Sequence, residues 1–155
     1  MIMRKQLSKS DIKKLNQEIQ DKYRAADFFE KKARVELVKE EYEIITLDNK
    51  PCFFYLDKQI IPTLKLLLKN NFMKKVTIDM GAVKFIASGA DLMRPGITDI
   101  EEGIKKDDFI SIIDENNKKP IAIGQAMMNS EKMKATESGK VIKNIHYVGD
   151  KLWKQ

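Results

Sequence analysis

The residue types best suited to ligand chemistry lie in one short loop, Gly89-Ala90-Asp91-Leu92-Met93-Arg94-Pro95-Gly96-Ile97. Gly89 and Gly96 can adopt backbone angles that are closed to other residues, and they let a ligand approach the main chain closely. Pro95 fixes one dihedral angle and removes a donor. Arg94 presents a planar, permanently charged guanidinium that suits phosphate. The loop therefore predicts contact with a phosphate-bearing partner.

Positive charge is unevenly distributed along the 155 residues. The chain has 29 Lys and Arg against 23 Asp and Glu, a net charge of +6. Residues 1–75 hold 17 basic and 11 acidic residues, whereas residues 76–155 hold 12 of each. The basic half suits a polyanion such as nucleic acid, although lysine-rich surfaces also serve solubility and thermostability.

No set of residues has the spacing of a catalytic, metal or cofactor site. The only cysteine, Cys52, has apolar neighbours and no evident base, and the only histidine, His146, has no nearby metal-ligand pattern. The adjacent carboxylates Glu40-Glu41, Glu101-Glu102 and Asp107-Asp108 would point to opposite faces of a strand. We therefore expect no catalysis, metal or cofactor, and we expect Cys52 and His146 to pack within the fold.

The sequence also argues against secretion and membrane insertion. No apolar run follows the charged N-terminal residues, and one cysteine cannot form an internal disulfide. No segment approaches the roughly 18 consecutive apolar residues that cross a bilayer. We expect a cytoplasmic protein without membrane contact.

Residues 1–75 are predicted to form an α+β domain. Ser8 and Asp11 have the spacing of a capping box, and apolar residues at helical intervals follow, which predicts a helix over about Lys9–Arg24. β-Branched and aromatic residues between Ala33 and Leu56 predict a hairpin or small antiparallel sheet. Pro62 is expected in the first turn of a second helix.

Residues 76–155 are predicted to form a mainly-β domain. A strand at Val76–Asp79 and a short helix at Gly81–Ser88 precede the loop. Four short strands are predicted after it, at Ile97–Ile100, Phe109–Ile113, Pro120–Met127 and Val141–His146. Short strands separated by turns favour a small barrel. Four methionines near these strands are expected to fill the core, namely Met93, Met127, Met128 and Met133.

Five blocks of this second half resemble a PUA domain, the domain named for pseudouridine synthases and archaeosine transglycosylases. The blocks are Asp79-Met80-Gly81-Ala82 with Phe85-Ile86, the loop Gly89–Ile97, Pro120–Gly124, Gly139-Lys140 and Gly149–Trp153. The resemblance implies an α+β N-terminal domain, residues 1–75, followed by a mainly-β PUA pseudo-barrel, residues 76–155. One difference is Asp107-Asp108, where many PUA domains have Gly-Asp in a turn.

The arrangement of a small α+β domain before a C-terminal PUA domain resembles that of archaeal relatives of the malignant T-cell-amplified sequence and ligatin-type translation factors. The resemblance implies a non-catalytic protein that binds structured RNA, either rRNA or tRNA. A ribosomal subunit or a second translation factor would be a further partner. Two alternatives stay open: an accessory module that targets an RNA-modification enzyme, and a scaffold that docks a protein through its N-terminal domain.

PUA domains bind RNA through their first helix and the loop after it, which implies the RNA-facing residues of this chain. They are Lys84, Ser88, Gly89, Ala90, Leu92, Met93, Arg94, Pro95 and Gly96, with Lys132, Lys134 and Lys140 as a basic edge. The structural alternatives are a salt bridge from Arg94 to Asp91 or another nearby carboxylate, and tight turns with positive φ at the glycines. We expect RNA contact at Gly89 and Arg94, and a turn at Gly96 because Pro-Gly is common in turns.

Overall fold

The structure, a computed structural model, describes residues 2–155. The chain divides into two compact units between Leu66 and Leu67. The domain boundary after Lys75 that the sequence suggests stays a prediction.

The N-terminal unit contains a five-stranded antiparallel sheet in the order β1-β2-β3-β4-β5. Helix α1 lies between β1 and β2 in the chain, and a short helix α2 follows β5 and contains the boundary between the two units. The elements are β1 Met3–Gln6, α1 Lys9–Tyr23, β2 Val35–Lys39, β3 Glu43–Leu47, β4 Lys50–Leu56, β5 Gln59–Pro62 and α2 Leu64–Lys69.

Helix α1 begins at the predicted capping box. The Ser8 hydroxyl accepts from the Asp11 N–H at 3.1 Å, and the Asp11 carboxylate accepts from the Ser8 N–H at 3.0 Å. The hydrogen bond from the Ser8 backbone is the main cause that lowers the pKa of Asp11 below its ordinary value. The helix ends at Arg24, which adopts a left-handed φ of 59°. Its capped start fixes the register that buries one apolar face.

The hairpin prediction is confirmed, but Pro62 lies in a different element than expected. Asp48 and Asn49 form the two-residue turn between β3 and β4, with φ of 49° and 67°. Pro62 pairs with Phe53 at the end of β5, and Thr63 caps α2 by accepting from the Leu66 N–H at 3.2 Å. Proline is tolerated there because β5 is an edge strand.

The C-terminal unit contains a six-stranded mixed sheet in the order β7-β11-β10-β9-β6-β8, curled into a half-barrel. Only the β6–β9 pairing is parallel. The elements are β6 Lys75–Ile78, α3 Met80–Ile86, β7 Leu92–Met93, one 3-10 turn at Arg94–Gly96, β8 Ile97–Ile100, β9 Phe109–Asp114, β10 Pro120–Ala126, α4 Ser130–Ala135 and β11 Lys140–Tyr147. The predicted fold class, an α+β domain followed by a mainly-β pseudo-barrel, is confirmed.

Asp107 explains how the turn before β9 forms without the glycine that many PUA domains have. Asp107 adopts a left-handed φ of 74°, which Asp tolerates better than most residues. The Asp108 carboxylate accepts from the Lys105 N–H at 2.8 Å and closes the turn. The difference therefore changes the residue but keeps the turn.

The core prediction for the methionines is wrong at two positions. Met133 is fully buried and Met128 packs against the core, but the side chains of Met93 and Met127 are 46% and 45% exposed. Isoleucines and small residues from β6, β9, β10 and β11 fill the barrel instead. Cys52 and His146 are buried, as expected. No helix between residues 2 and 155 combines the length and apolar content needed to cross a membrane.

Candidate nucleic-acid interface

Helix α3 is joined at its first turn to the far end of the Gly89–Gly96 loop. The Asp79 carboxylate caps the helix by accepting from the Ala82 N–H at 2.8 Å, and the Asp79 N–H donates to the Gly96 carbonyl at 2.9 Å. A Cβ at Gly96 would lie 2.9 Å from the Ala82 Cβ. Gly96 lies in a turn, as predicted, but close packing against α3 rather than a positive φ requires glycine there.

The loop leaves α3 through Gly89, whose φ is +96°. A Cβ at this position would lie 2.9 Å from Cε1 of the Tyr147 ring. The Ser88 hydroxyl donates to the Phe85 carbonyl at 2.8 Å, and the Gly89 N–H donates to the Ile86 carbonyl at 3.0 Å. Turn geometry and Tyr147 therefore account for glycine at 89, and phosphate approach at this residue stays a prediction.

Asn144 holds the start and the middle of the loop. Its side-chain amide donates to the carbonyls of Ile86 and Ala90 at 3.1 and 3.0 Å, and its backbone N–H donates to the Asp91 carboxylate at 2.9 Å. The sequence did not identify Asn144, because its position depends on an irregularity in the β10–β11 pairing next to Gly124. Such bulges reorient side chains and leave little signal in one sequence.

Arg94 points into the protein and joins the loop to α4. Its Nε donates to the Met133 carbonyl at 2.9 Å and its Nη1 to the Ile97 carbonyl at 3.3 Å. The alternative of a salt bridge to Asp91 or another carboxylate is wrong, because within residues 2–155 no carboxylate lies within 4.0 Å of Arg94. Asp91 lies 3.5 Å from the Lys140 ammonium instead. The Arg94 guanidinium thus has a structural role, whether or not it also contacts RNA.

These elements line an open groove of about 740 Å³ between α3 and the loop. Phe85, which the sequence analysis placed in the helix but not at the site, projects from α3 with 58% of its surface exposed. Met93 lies on the loop side, whereas the Leu92 side chain is buried. Seven of the predicted residues line the groove, namely Gly89, Ala90, Leu92, Met93, Pro95, Gly96 and Lys140. The walls are mainly apolar.

The remaining predicted residues lie outside the lining of the groove. Lys84 and Ser88 are exposed on α3 and at its end, Lys132 and Lys134 are exposed on α4, and Arg94 is half-buried between loop and helix. The Lys84 ammonium lies 5.2 Å from the centre of the Phe85 ring, a cation–π arrangement. These two exposed side chains offer a positive charge and an aromatic face at one place.

Positive charge around the groove is limited. Lys140 is paired with Asp91 at 3.5 Å, and Lys134 lies 4.0 Å from Glu102. Within residues 2–155, Lys84 and Lys132 have no carboxylate within 4.0 Å. The surface thus combines apolar contact area with a few unpaired lysines.

Asp150 fixes the end of β11. Its carboxylate lies 2.8 Å from His146 Nδ1, and it accepts from the backbone N–H groups of Tyr147 and Trp153 at 3.0 and 2.8 Å. These contacts give His146 a structural partner. Within the described residues, no three His, Cys, Asp or Glu side chains are grouped to hold a metal ion.

Comparisons with known protein families match both halves of the chain. The sequence profile described as PUA domain matches residues 74–148. A second profile, described as a domain of unknown function (DUF1947), matches residues 3–70.

Three relatives are similar over most of their length. An uncharacterized protein of Methanocaldococcus jannaschii is 48% identical over 150 residues, 95% of this chain and 93% of the relative. Translation machinery-associated protein 20 of Saccharomyces cerevisiae is 36% identical over 132 residues, 79% of this chain and 73% of the relative. Malignant T-cell-amplified sequence 1 of Danio rerio is 32% identical, with 96% of this chain and 88% of the relative covered.

Solved structures show the same folds. A hypothetical protein of Pyrococcus horikoshii superimposes with a TM-score of 0.86 at 34% identity, and 98% of each chain is covered. A chain of an H/ACA ribonucleoprotein bound to a substrate RNA matches with a TM-score of 0.50 at 31% identity, over 62% of this chain and 29% of that one. The chain therefore belongs to the family of PUA-domain proteins that includes translation machinery-associated protein 20 and malignant T-cell-amplified sequence 1.

Proposed function

We propose that this protein is a non-catalytic RNA-binding protein of the translation apparatus, and that α3 and residues 88–96 contact structured RNA. The RNA is rRNA of a ribosomal subunit or tRNA. The observation that carries the proposal is the pairing of exposed Phe85 with Lys84 beside a groove of about 740 Å³. The name of the yeast relative supports a role in translation, and the RNA-bound H/ACA particle supports RNA binding by this fold.

The exposed side chains can contact both parts of a nucleotide. An unpaired base can stack on the Phe85 ring, and aromatic stacking contributes about 1–3 kcal/mol per base. The neighbouring Lys84 can neutralise a phosphate. Ser88, Ala90, Met93 and Pro95 are exposed beside them and can add van der Waals contacts.

The loop needs little rearrangement to bind. Asn144 holds its start, Asp91 its middle and Arg94 its end, each through hydrogen bonds of 2.9–3.3 Å. A surface that is already ordered loses less conformational entropy on binding. In this proposal Leu92 and Arg94 act by holding the loop, and Lys132, Lys134 and Lys140 form a basic edge.

The test is to measure the affinity of the full chain for small ribosomal subunits and for bulk tRNA of Methanocaldococcus jannaschii. Phe85→Ala is expected to weaken binding by about 1–3 kcal/mol through lost stacking, and Lys84→Gln to weaken it through a lost phosphate contact. Lys119→Gln, in the turn before β10, serves as the matched control. Equal RNA affinity in all three variants would show that Phe85 and Lys84 do not contact RNA.

The apolar lining of the groove favours a second candidate, the docking of a protein partner. Met80, Phe85 and Met93 are exposed on this side, and aromatic and methionine side chains are enriched at protein interfaces. A second translation factor with an apolar segment would fit. This candidate predicts that Phe85→Asp abolishes capture of the factor while RNA affinity stays the same.

A further inference from the structure

The N-terminal unit has a second cleft, of about 610 Å³, between one face of α1 and the segment at residues 27–31. The helix face presents Lys9, Lys13, Gln17 and Gln20, which recur at helical spacing and share one side of the helix. Lys31 lies on the opposite wall. Long polar side chains therefore line both sides of the cleft.

Asn16 holds the two walls together. Its side-chain amide donates to the Phe29 carbonyl at 2.8 Å, and its side-chain oxygen accepts from the Phe29 N–H at 2.9 Å. The Phe29 ring is buried and packs edge-to-face against Phe28 and Phe53, with ring centres 4.8 and 6.0 Å apart. The cleft is thus built by the fold and needs no ligand to form.

The lysines of the cleft form no ion pair with a carboxylate in the part of the chain that the structure describes. Within residues 2–155, none of Lys9, Lys13 and Lys31 lies within 4.0 Å of a carboxylate. Elsewhere in the same unit, Arg4 and Arg34 pair with Glu36, at 3.6 and 3.3 Å. Three lysines without an ion pair thus line one cleft, in the half of the chain that has the excess of basic residues.

We infer that this cleft binds the phosphodiester backbone of RNA. Lysine ammonium groups bind phosphate as point charges, and the Gln20 amide can donate to phosphate or 2′-hydroxyl oxygens. The only aromatic side chain in the lining, Phe29, is buried, so the cleft offers no ring for base stacking. Binding here is independent of base sequence. The inference rests on the proposed RNA-binding function.

Two acidic residues at the cleft allow a second prediction, in which a substitution raises RNA affinity instead of lowering it. Asp27 and Glu30 also line it, so three lysines face two carboxylates. Each carboxylate repels a phosphate held by the lysines. Glu30→Gln is therefore expected to strengthen RNA binding, while loss of the lysines weakens it.

The experiment measures binding of the full chain to small ribosomal subunits and bulk tRNA of Methanocaldococcus jannaschii at several salt concentrations. Each lysine that contacts a phosphate contributes about one to the slope of log affinity against log salt. The Lys9→Gln/Lys13→Gln double variant is expected to lower this slope by about two. Lys58→Gln, in the β4–β5 turn, is the control and should keep the wild-type slope. Urea unfolding of each variant verifies the fold.

The outcomes separate this inference from the proposed function. If Phe85→Ala weakens RNA binding while the double lysine variant keeps the wild-type slope, the cleft inference is wrong and the PUA surface stands. If only the lysine variant weakens binding, the cleft stands and the PUA surface is wrong. Absence of RNA binding by the wild-type chain overturns both. If the double lysine variant binds RNA as the wild type does but loses affinity for poly-L-glutamate, the cleft inference is overturned in favour of an acidic protein partner.

Discussion

Arg94 shows that an arginine in a glycine-rich loop can stabilise the fold as well as bind a ligand. Its presence in a glycine-rich loop predicts phosphate contact, yet its Nε and Nη1 donate to the carbonyls of Met133 and Ile97. A half-buried guanidinium with two protein acceptors stabilises the loop before any ligand is present. The neighbouring face of α3 then supplies the more accessible groups, Lys84 and Phe85.

Arg94→Lys is expected to destabilise the protein by about 1–3 kcal/mol, because a single ammonium cannot reproduce the geometry of the two guanidinium bonds. The free energy of unfolding in urea measures this. Lys84→Gln, an exposed change on α3, should leave stability unchanged. Wild-type stability of Arg94→Lys, combined with lost RNA affinity, would contradict the structural role.

Gly89 allows the close approach of Tyr147 to be tested directly. Gly89→Ala places a Cβ 2.9 Å from the Tyr147 ring and also has an unfavourable positive φ, so it is expected to cost more than the roughly 1–2 kcal/mol of left-handed backbone strain alone. Gly139→Ala is a matched control, since Gly139 has a φ of +88° and no atom within 4 Å of its added Cβ. Equal losses of stability would show that Tyr147 contributes nothing.

The sequence predicted the loop and most residues that line the groove, but not the exposed Phe85 ring or the exposure of Met93. Glycine, proline and arginine types identify residues 89–96 as unusual without any structure. Phe85 was missed because an aromatic residue in a short helix ordinarily indicates the core, and the exposed position of Met93 depends on how β7 meets β11. Tertiary packing determines which of these side chains are exposed, and the residues next to them in the sequence do not reveal it.

At the scale of elements, hydrogen bonds between neighbouring residues determine where a helix or a turn begins, whereas pairing between distant segments determines which residues form strands. The capping box of α1 and the Asp48-Asn49 turn were predictable because their hydrogen bonds and backbone angles come from nearby residues. Strand β1 was missed because all four of its residues are exposed and only its pairing with β2 defines it. Pro62 was misplaced because only the pairing of β5 with β4 puts it in a strand.

Ser8→Ala removes the hydroxyl that accepts from the Asp11 N–H and is expected to destabilise the protein by about 1 kcal/mol. Thermal or urea unfolding measures the change. Ser138→Ala, at an exposed serine outside the helices, is the control and should have no effect. Equal stability of the two variants would contradict the capping role.

The same cap predicts a dependence on pH. The pKa of Asp11 is lower in the folded protein than its ordinary value of 3.8, so its ionised form stabilises the fold above that pH. This stabilisation is lost as the pH falls through the folded-state pKa. The stability difference between wild type and Asp11→Asn should therefore shrink below pH 3.8. A difference that grows with acidification would contradict the assignment.

At the scale of the whole molecule, charge and contact surface belong to different halves of the chain. Residues 1–75 contain the entire net charge of +6, while the apolar groove lies in the half that has no net charge. Under the proposed function, long-range attraction for RNA would come mostly from the N-terminal half and short-range contact from the PUA surface.

This division between charge and contact surface predicts that two variants differ in how salt changes their RNA affinity. Phe85→Ala should weaken RNA binding equally at all salt concentrations, because it removes no charge, whereas Lys84→Gln should also lower the slope by about one. Fluorescence anisotropy with labelled tRNA measures both. A lower slope in Phe85→Ala would contradict the assignment of stacking to this ring.

The most direct test of the RNA-facing surface is an NMR titration of the ¹⁵N-labelled protein with tRNA, in which amide shifts locate the contact residue by residue. We expect the largest shifts in α3, in residues 88–96 and at Lys140. Large shifts confined to the turn at residues 115–119, with α3 and the loop unchanged, would contradict it.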